Sequence, residues 1–346
     1  MPPALSRALL ARLPKAELHC HLDGSIRPET LLELGAEYGR PMPRADVEAL
    51  RDFMLVSDAR NLEDYLKRFD VTLSVLQRAE ALERVTYELM EDAARDGVWY
   101  MEVRYAPILN TREGLSLGEA VEAPLRGIAR GERDFGVRGR VIVCAIRNMP
   151  AETSLELARL AVAYRSRGVV AFDLAGGELG NPARAHAAAF AFAREHDLAC
   201  TVHAGEGDGA ESLRQAVHHC GADRLGHATR LIEDPSLARY VNDRRIALEI
   251  CLTSNVQTRV ASTYEEHPLR RYFEHGHNVV LNTDNRLMSG TTLTDEYWHA
   301  ASKLGFSLAE LGEIATNGFS SAFLPWEERR VLVDEARRAI AALGAT

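Results

Sequence analysis

The feature that most constrains the fold is an alternation of eight short β-rich runs with segments of helical length. In chain order the runs are AELHCHL (16–22), WYMEVRYAP (99–107), RVIVCAIR (140–147), VVAFDLAG (169–176), ACTVHAGE (199–206), RLGHATRL (224–231), IALEICLTSN (246–255) and NVVLNTDN (278–285). Such alternation is typical of parallel β/α units, and eight units can close on themselves. The pattern therefore predicts an α/β protein with a (β/α)₈ TIM barrel.

Two parts of the chain are longer than a barrel connection requires. Roughly 75 residues separate the first and second runs, and about 60 follow the eighth. We expect extra helices inserted after strand 1, over one mouth of the barrel, and a helical C-terminal extension. Because no repeat, low-complexity tract or linker divides the chain, we expect residues 1–346 to form a single (β/α)₈ domain.

Composition narrows the classes of partner. The 41 Lys and Arg residues are outnumbered by 50 Asp and Glu residues, giving a net charge of −9 without a long basic run. This charge argues against nucleic acid and anionic membranes as partners. No signal peptide or membrane-spanning run is recognisable, so we expect a cytoplasmic protein. No heptad or exposed apolar stripe indicates an oligomeric state.

The five cysteines support the same location. They are widely spaced, form no C-x-x-C pair and mostly occur within apolar runs. This pattern predicts reduced, mostly buried thiols in a reducing compartment.

Polar residues recur near the C-terminal ends of the runs, although parallel strands buried on both faces are usually apolar. They are His19, His21, Glu102, Arg104, Asp173, His203, Glu206, His227, Ser254, Asn255, Asp284 and Asn285. In a (β/α)₈ barrel these strand ends and their loops form the active-site face. We therefore expect these side chains to converge on one mouth.

A metal site is the chemistry that these residues favour. His19 and His21 are two apart on a strand, so their side chains project to the same side. An H-x-H motif alone is weak evidence for a metal site, because two histidines at a strand end can also lack a function. Together with His203, His227 and Asp284 at other strand ends, it predicts a site for zinc or another divalent first-row metal.

The remaining histidines fall outside the strand ends, and we expect surface or packing roles for them. They are His186, His196, His218, His219, His267, His275, His277 and His299.

Seven segments resemble the adenosine deaminase family of metal-dependent amidohydrolases. They are ELHCHLDGSIRPETLLEL, LEDYLKRFD, VVAFDLAGGE, VHAGE, RLGHATRL, LTSNVQT and LNTDN. The segments run in the family's order and extend from about residue 14 to residue 300 of the chain.

The resemblance implies a metal centre with acid and base groups beside it. In the family pattern one catalytic Zn²⁺ is bound by four residues, which here are His19, His21, His203 and Asp284. Glu206 resembles the general acid that protonates purine N1. His227 resembles the residue that orients and stabilises the attacking hydroxide.

The resemblance also implies substrate contacts. Asp23 matches the contact to a ribose hydroxyl, and Gly176 matches the backbone donor to purine N3. Leu62, Tyr65 and Leu66 match the apolar wall over the nucleoside. On residue type alone, Asp23 is also compatible with a purely turn-forming role. The three wall residues are likewise compatible with packing in the hydrophobic core.

Two positions depart from the family pattern. Many members have a second aspartate after the eighth strand, in contact with purine N7, and this chain has Asn285 there. A carboxyl must be protonated to donate to N7, whereas an amide always can. Gly177 stands where an acid is frequent. Both departures bear on which purine is bound.

The leading hypothesis is hydrolytic, zinc-dependent deamination of adenosine and 2′-deoxyadenosine, with a small-molecule purine nucleoside as partner. An alternative is deamination of another 6-aminopurine, such as adenine or 6-aminodeoxyfutalosine. A further alternative is a catalytically inactive nucleoside-binding protein. The H-x-E and P-C-x-x-C motifs of the cytidine and tRNA-adenosine deaminases are absent from the sequence.

Overall fold

Eight parallel strands form the barrel that the alternation predicts. In the computed structural model, which describes residues 5–345, the strands pair in chain order from β1 to β8. They are β1 Lys15–His21, β2 Val98–Tyr105, β3 Arg138–Ile146, β4 Val169–Ala175, β5 Ala199–Ala204, β6 Arg224–His227, β7 Ala247–Ile250 and β8 Val279–Leu281. Most strand residues are buried, because helices cover the outside and side chains fill the inside. The predicted (β/α)₈ fold is confirmed.

Helices surround the barrel and extend it at both predicted places. From the N-terminus to β6 they are α1 Arg7–Ala11, α2 Pro28–Glu37, α3 Val47–Met54, α4 Leu62–Leu66, α5 Phe69–Leu73, α6 Ala79–Arg95, α7 Leu117–Phe135, α8 Ala151–Ala163, α9 Ala187–Glu195 and α10 Ala210–Gln215. After β6 they are α11 Pro235–Asp243, α12 Leu252–Gln257, α13 Leu269–Glu274, α14 Arg286–Ser289, α15 Leu293–Leu304, α16 Leu308–Ser320 and α17 Trp326–Ala345. Helices α2 to α6 occupy the long connection after β1, and α14 to α17 follow β8. Both the inserted helices and the C-terminal extension are confirmed.

The barrel closes between β1 and β8 through a short backbone contact at its C-terminal end. The His21 N–H donates to the Asp284 carbonyl at 2.7 Å, and the Asp284 N–H donates to the His19 carbonyl at 2.9 Å. These bonds form an isolated parallel bridge centred on Cys20 and Asp284. We call this junction between β1 and β8 the seam.

Side chains replace backbone pairing along the rest of the seam. The Asn282 Oδ1 accepts from the Leu18 N–H at 2.8 Å, and the Glu17 carboxylate accepts from the Thr283 N–H at 3.0 Å. Buried polar side chains therefore satisfy backbone groups that a continuous ladder would have paired.

The opposite, N-terminal face of the barrel is closed by the turn between α16 and α17. The Phe323 N–H donates to Glu102 at 2.7 Å, and the Phe323 ring lies 3.5 Å from the guanidinium carbon of Arg224. Arg224 also pairs with Glu102. The expectation that Glu102 lies at the C-terminal mouth is wrong, because this residue belongs to a buried ion pair beside the N-terminal closure.

Two predicted runs are longer than the strands that they contain. β6 ends at His227, because His227 and Ala228 adopt left-handed backbone conformations with φ of 60° and 54°. β7 ends at Ile250, and the chain turns at once into α12. Ser254 and Asn255 therefore lie on a helix and not at a strand end.

Two further observations bear on the protein's environment. All five cysteines are free and buried, as predicted. Within residues 5–345, none of the helices combines the length and apolar character needed to cross a lipid bilayer.

Candidate active site

Three histidines and one aspartate meet at the C-terminal end of the barrel. The ligand atoms of His19, His21, His203 and Asp284 all lie within 4.8 Å of one another. Asp284 Oδ1 is 3.4 Å from Nε2 of both His19 and His21, and the Nε2 atoms of His21 and His203 are 3.0 Å apart. The fold thus brings together the four side chains that the resemblance assigns to the metal.

The surroundings of two histidines fit metal binding. His19 Nδ1 lies 2.8 Å from Glu249 Oε2, and His203 Nδ1 lies 3.2 Å from Asp173 Oδ1. A carboxylate beside Nδ1 keeps the proton there and leaves the Nε2 lone pair directed at the centre, as in metal-binding histidines. His19 Nε2 is buried and has no hydrogen-bond partner among the described residues. An orphaned imidazole nitrogen in a set of three imidazoles and one carboxylate suits a divalent metal.

Arg104 holds both supporting carboxylates. Its Nη1 lies 3.1 Å from Asp173, and its Nη2 lies 2.9 Å from Glu249. Although burial opposes ionisation, the charges of Arg104 and Arg224 hold the pKa of Glu249 well below its usual range. Glu249 is not among the residues predicted from the sequence, although it is a lone charged residue in the apolar run of a strand buried on both faces.

Glu206 and His227 adjoin this group of potential metal ligands. Glu206 Oε2 is 3.4 Å from His227 Nε2, and together with Asp284 these two side chains form a second close group of potential ligands. Burial, then the charges of Asp284 and Glu178, raise the pKa of Glu206 well above its usual range. This direction of shift favours the protonated form of Glu206, which is the form that can donate a proton.

Backbone strain occurs at two of these positions. His227 and Asp284 have φ of 60° and 61°, a region that residues with side chains seldom occupy. Strain of this kind persists where the surrounding structure enforces it, and it clusters at functional sites.

Glu178 is a second residue that the sequence analysis did not assign. Its carboxylate accepts backbone N–H bonds from Gly205, Glu206, Gly207 and Asp208, at 2.7, 3.0, 2.6 and 3.2 Å respectively. One buried side chain thus anchors the whole loop that carries Glu206. The signal for it was an acid two residues after Gly176, the predicted substrate contact.

The cluster opens into a small inner chamber beneath α4. Its volume is about 40 Å³, and its lining includes the predicted wall residues Leu62, Tyr65 and Leu66, together with Gly176 and Asn285. Phe69 also lines it, and its ring is 6.5 Å from that of His21. Sequence reasoning missed Phe69, although it lies one helical turn beyond Leu66 in the same motif.

A larger cleft of about 510 Å³ adjoins the chamber and shares His21, Leu66, Phe69 and Gly176 with it. Asp23 lines this cleft and not the inner chamber. Its Oδ1 is buried without a partner among the described residues, and burial raises the pKa of its carboxyl to about 7. Gly176 has φ of 94°, which explains why a glycine stands at the edge of the chamber.

Asn285 is buried beside Gly24. A Cβ atom at Gly24 would lie 1.7 Å from Asn285 Oδ1, so the glycine is required for this packing. The structure thereby links the D-G turn after β1 to the position where the chain departs from the family pattern.

A (β/α)₈ barrel with two histidines on β1, one on β5 and an aspartate after β8, beside the buried Glu206, defines a metal-dependent hydrolase.

The family follows from comparison with known proteins. Residues 14–339 match the family model for adenosine deaminase. The chain is 40% identical to the adenosine deaminase of Mycobacterium avium over 97% of both chains. The chain belongs to the adenosine deaminase family and is a hydrolase of C–N bonds in cyclic amidines.

Solved structures agree with this assignment. The adenine deaminase of Arthrobacter aurescens superposes with a TM-score of 0.89 and 28% identity, covering 95% of this chain and 99% of that one. An amidohydrolase from Burkholderia ambifaria, solved with bound Zn, superposes with a TM-score of 0.87 and 26% identity, covering 99% and 96%.

Proposed function

We propose that the protein hydrolyses adenosine and 2′-deoxyadenosine to inosine and 2′-deoxyinosine. Water replaces the 6-amino group, which leaves as ammonia. The observation that carries the proposal is the buried Glu206, which lines the same chamber as three of the four potential metal ligands, His21, His203 and Asp284. The name of the Mycobacterium avium relative supports the same activity.

We propose zinc as the metal, held by His19, His21, His203 and Asp284. The orphaned His19 Nε2 and the bound Zn of the Burkholderia relative support this identity. When bound, zinc would supply the nucleophile by making water acidic enough to lose a proton near neutral pH.

The chain's own residues have separate tasks in this proposal. Glu206 donates its proton to purine N1, which makes the neighbouring C6 electron-poor and open to attack. His227 holds the attacking oxygen. Glu206 Oε2 and His227 Nε2 are 3.4 Å apart, and both residues line the chamber.

Substrate recognition is divided between the two cavities. In the inner chamber the Gly176 backbone would meet purine N3 and Asn285 would meet N7, below the apolar wall of Leu62, Tyr65 and Leu66. In the cleft, the unpartnered Oδ1 of Asp23 would meet a ribose hydroxyl.

Adenine is a second candidate substrate, because the Arthrobacter relative is an adenine deaminase. The cleft of about 510 Å³ beside Asp23 favours a nucleoside, since a free base would leave this space and this carboxyl without a partner. The same space would accept the sugar of 6-aminodeoxyfutalosine. A catalytically inactive binding protein is disfavoured by the complete ligand set and by Glu206.

A substrate panel tests the proposal. Zinc-loaded protein is incubated with adenosine, 2′-deoxyadenosine, adenine, AMP and 6-aminodeoxyfutalosine, and ammonia release is measured. We expect the highest kcat/KM with adenosine and 2′-deoxyadenosine. A higher value with adenine would support the second candidate, and no turnover of any 6-aminopurine by the metal-loaded protein would refute deamination.

We also propose a cytoplasmic location and a single domain over residues 1–346. Free, buried thiols at all five cysteines support the first. The match of residues 14–339 to one family model supports the second.

A further inference from the structure

A chain of hydrogen bonds leads from α13 to His227, and the donor and the acceptor of each bond can be assigned. It begins at the backbone N–H of Leu269, which can only donate, and which lies 3.1 Å from His267 Nδ1. His267 Nδ1 must therefore be an unprotonated acceptor. Because His267 is buried and burial lowers its pKa to about 3, the ring is neutral and carries its single proton on Nε2.

The next link fixes the orientation of Asn255. His267 Nε2–H is 3.0 Å from Asn255 Oδ1, which also accepts from the Thr229 hydroxyl at 3.0 Å. Rotating the amide by 180° would bring its NH₂ group against the N–H of His267. Two donors facing each other in a buried site are unfavourable, so the oxygen faces His267.

The last link determines the tautomer of His227. The Asn255 amide nitrogen is 3.0 Å from His227 Nδ1 and can only donate to it. His227 Nδ1 therefore carries no proton, and the ring proton is on Nε2. This Nε2–H faces the inner chamber, 3.4 Å from Glu206 Oε2.

We propose that Asn255 and His267 are positioning residues, which lock His227 in its Nε2–H tautomer and so make it a hydrogen-bond donor to the attacking oxygen. In this tautomer His227 has no free lone pair directed into the chamber, and it cannot act as the base that deprotonates water. The tautomer of His227 follows from the hydrogen bonds and from the burial of His267, whereas its catalytic consequence rests on the proposed deamination.

The assignment also explains two features that the sequence left without a function. α12 starts directly after β7, and this places Asn255 behind His227 instead of in the mouth. His267 lies 12 positions further along the chain, and its ring both caps the first N–H of α13 and orients Asn255.

Nitrogen NMR tests the tautomer without any reference to activity. Zinc-loaded protein is labelled with ¹⁵N-histidine, and the couplings between ring nitrogens and ring protons distinguish Nε2–H from Nδ1–H. The signals of His227 and His267 are assigned by comparison with His227→Gln and His267→Gln. We expect both rings in the Nε2–H form. An Nδ1–H or doubly protonated His227 in the wild-type protein would overturn the inference.

Kinetics of Asn255→Asp test the catalytic consequence. The new carboxylate has nearly the same shape but can only accept, so it favours a proton on His227 Nδ1 and removes the donor from the chamber. Removing one such donor lowers kcat by about 100-fold or more, and we expect this loss with KM and bound zinc changed less than about threefold.

Ser254→Ala is the matched control. Ser254 is the neighbouring residue of α12, is equally buried, and its Oγ has no hydrogen-bond partner among the described residues. We expect near-wild-type kcat for it. A near-wild-type kcat in Asn255→Asp would refute the positioning role. Inactive wild-type protein with an Nε2–H His227 would refute the proposed function and leave the tautomer assignment standing.

Discussion

Glu206 is the residue on which the proposed chemistry depends most, and replacing its acid tests that role. Glu206→Gln keeps the shape of the side chain but removes the proton that it donates. We expect kcat to fall by at least about 100-fold while bound zinc stays at the wild-type level, because Glu206 is not one of the four ligands. Steady-state kinetics and metal analysis measure both. His203→Ala is the comparison variant and should lose the metal. A near-normal rate in Glu206→Gln would show that another group is the acid.

Glu178 gives a second prediction, because it holds four backbone N–H groups of the loop that carries Glu206. Glu178→Gln replaces one accepting oxygen by an NH₂ group that faces other donors. We expect a loss of roughly 2 kcal/mol in unfolding free energy and about a tenfold decrease in kcat, with bound zinc unchanged.

Glu211→Gln is a suitable control for Glu178, since Glu211 is an exposed glutamate shortly after the same loop. Chemical denaturation and kinetics of the two variants should differ clearly. Equal behaviour would mean that the loop does not need the Glu178 carboxylate.

Some residues of the proposed site could be predicted from the sequence, and others could not. His19, His21, His203 and Asp284 stand out in sequence, because a polar residue at the end of a buried strand needs a reason. Glu249 and Asn255 are visible in the sequence only as polar residues in an apolar run, and nothing in the sequence shows that each lies behind a histidine. Such contacts depend on register across strands that are distant in the chain.

Glu296 on α15 forms hydrogen bonds to α12, and its ionisation makes the unfolding free energy depend on pH. Its buried carboxyl accepts from the Thr253 backbone N–H at 3.2 Å and from the Thr291 hydroxyl at 2.8 Å. Burial raises its pKa from 4.5 to about 7. Because the folded protein binds the Glu296 proton more tightly than the unfolded chain does, the protonated carboxyl stabilises the fold. This contribution to the unfolding free energy is complete below the pKa of 4.5 and is lost as pH rises through about 7.

The prediction is that Glu296→Gln removes part of the pH dependence. Between about pH 5 and pH 8 the wild-type protein should lose about 2 kcal/mol of unfolding free energy from this group, and the variant should not. Denaturation at several pH values measures the difference. The exposed Glu313 provides a control, Glu313→Gln, whose pH dependence should match the wild type. Parallel curves for Glu296→Gln and wild type would contradict the assignment.

The C-terminal ends of β6 and β7 could not be predicted from the sequence. The runs at 224–231 and 246–255 contain enough apolar residues for longer strands, but His227 takes a left-handed conformation and α12 begins immediately after β7. Both interruptions place side chains of the proposed site, His227 and Asn255. Local propensity therefore failed where the site imposes its own backbone geometry.

Closure of the whole barrel brings together predicted metal ligands from both sides of the seam. His19 and His21 are on β1, and Asp284 follows β8, next to the backbone bonds that close the barrel. Removing zinc with a chelator should therefore lower the melting temperature and speed amide hydrogen exchange at His21 and Asp284. The Leu248 amide, which bonds to Asn278 between β7 and β8, should change much less. Restoring zinc should reverse both effects, and uniform exchange across the barrel would argue against a local effect.

The seam also has a consequence for the order of events during folding. The bond between Leu18 and Asn282 joins residues 264 positions apart, so β8 can dock on β1 only after nearly the whole chain has been made. Until that contact forms, the two sides of the ligand set are not assembled. We therefore expect tight uptake of the proposed zinc ion to be a late step, and a nascent or truncated chain that lacks β8 should compete poorly for cellular zinc.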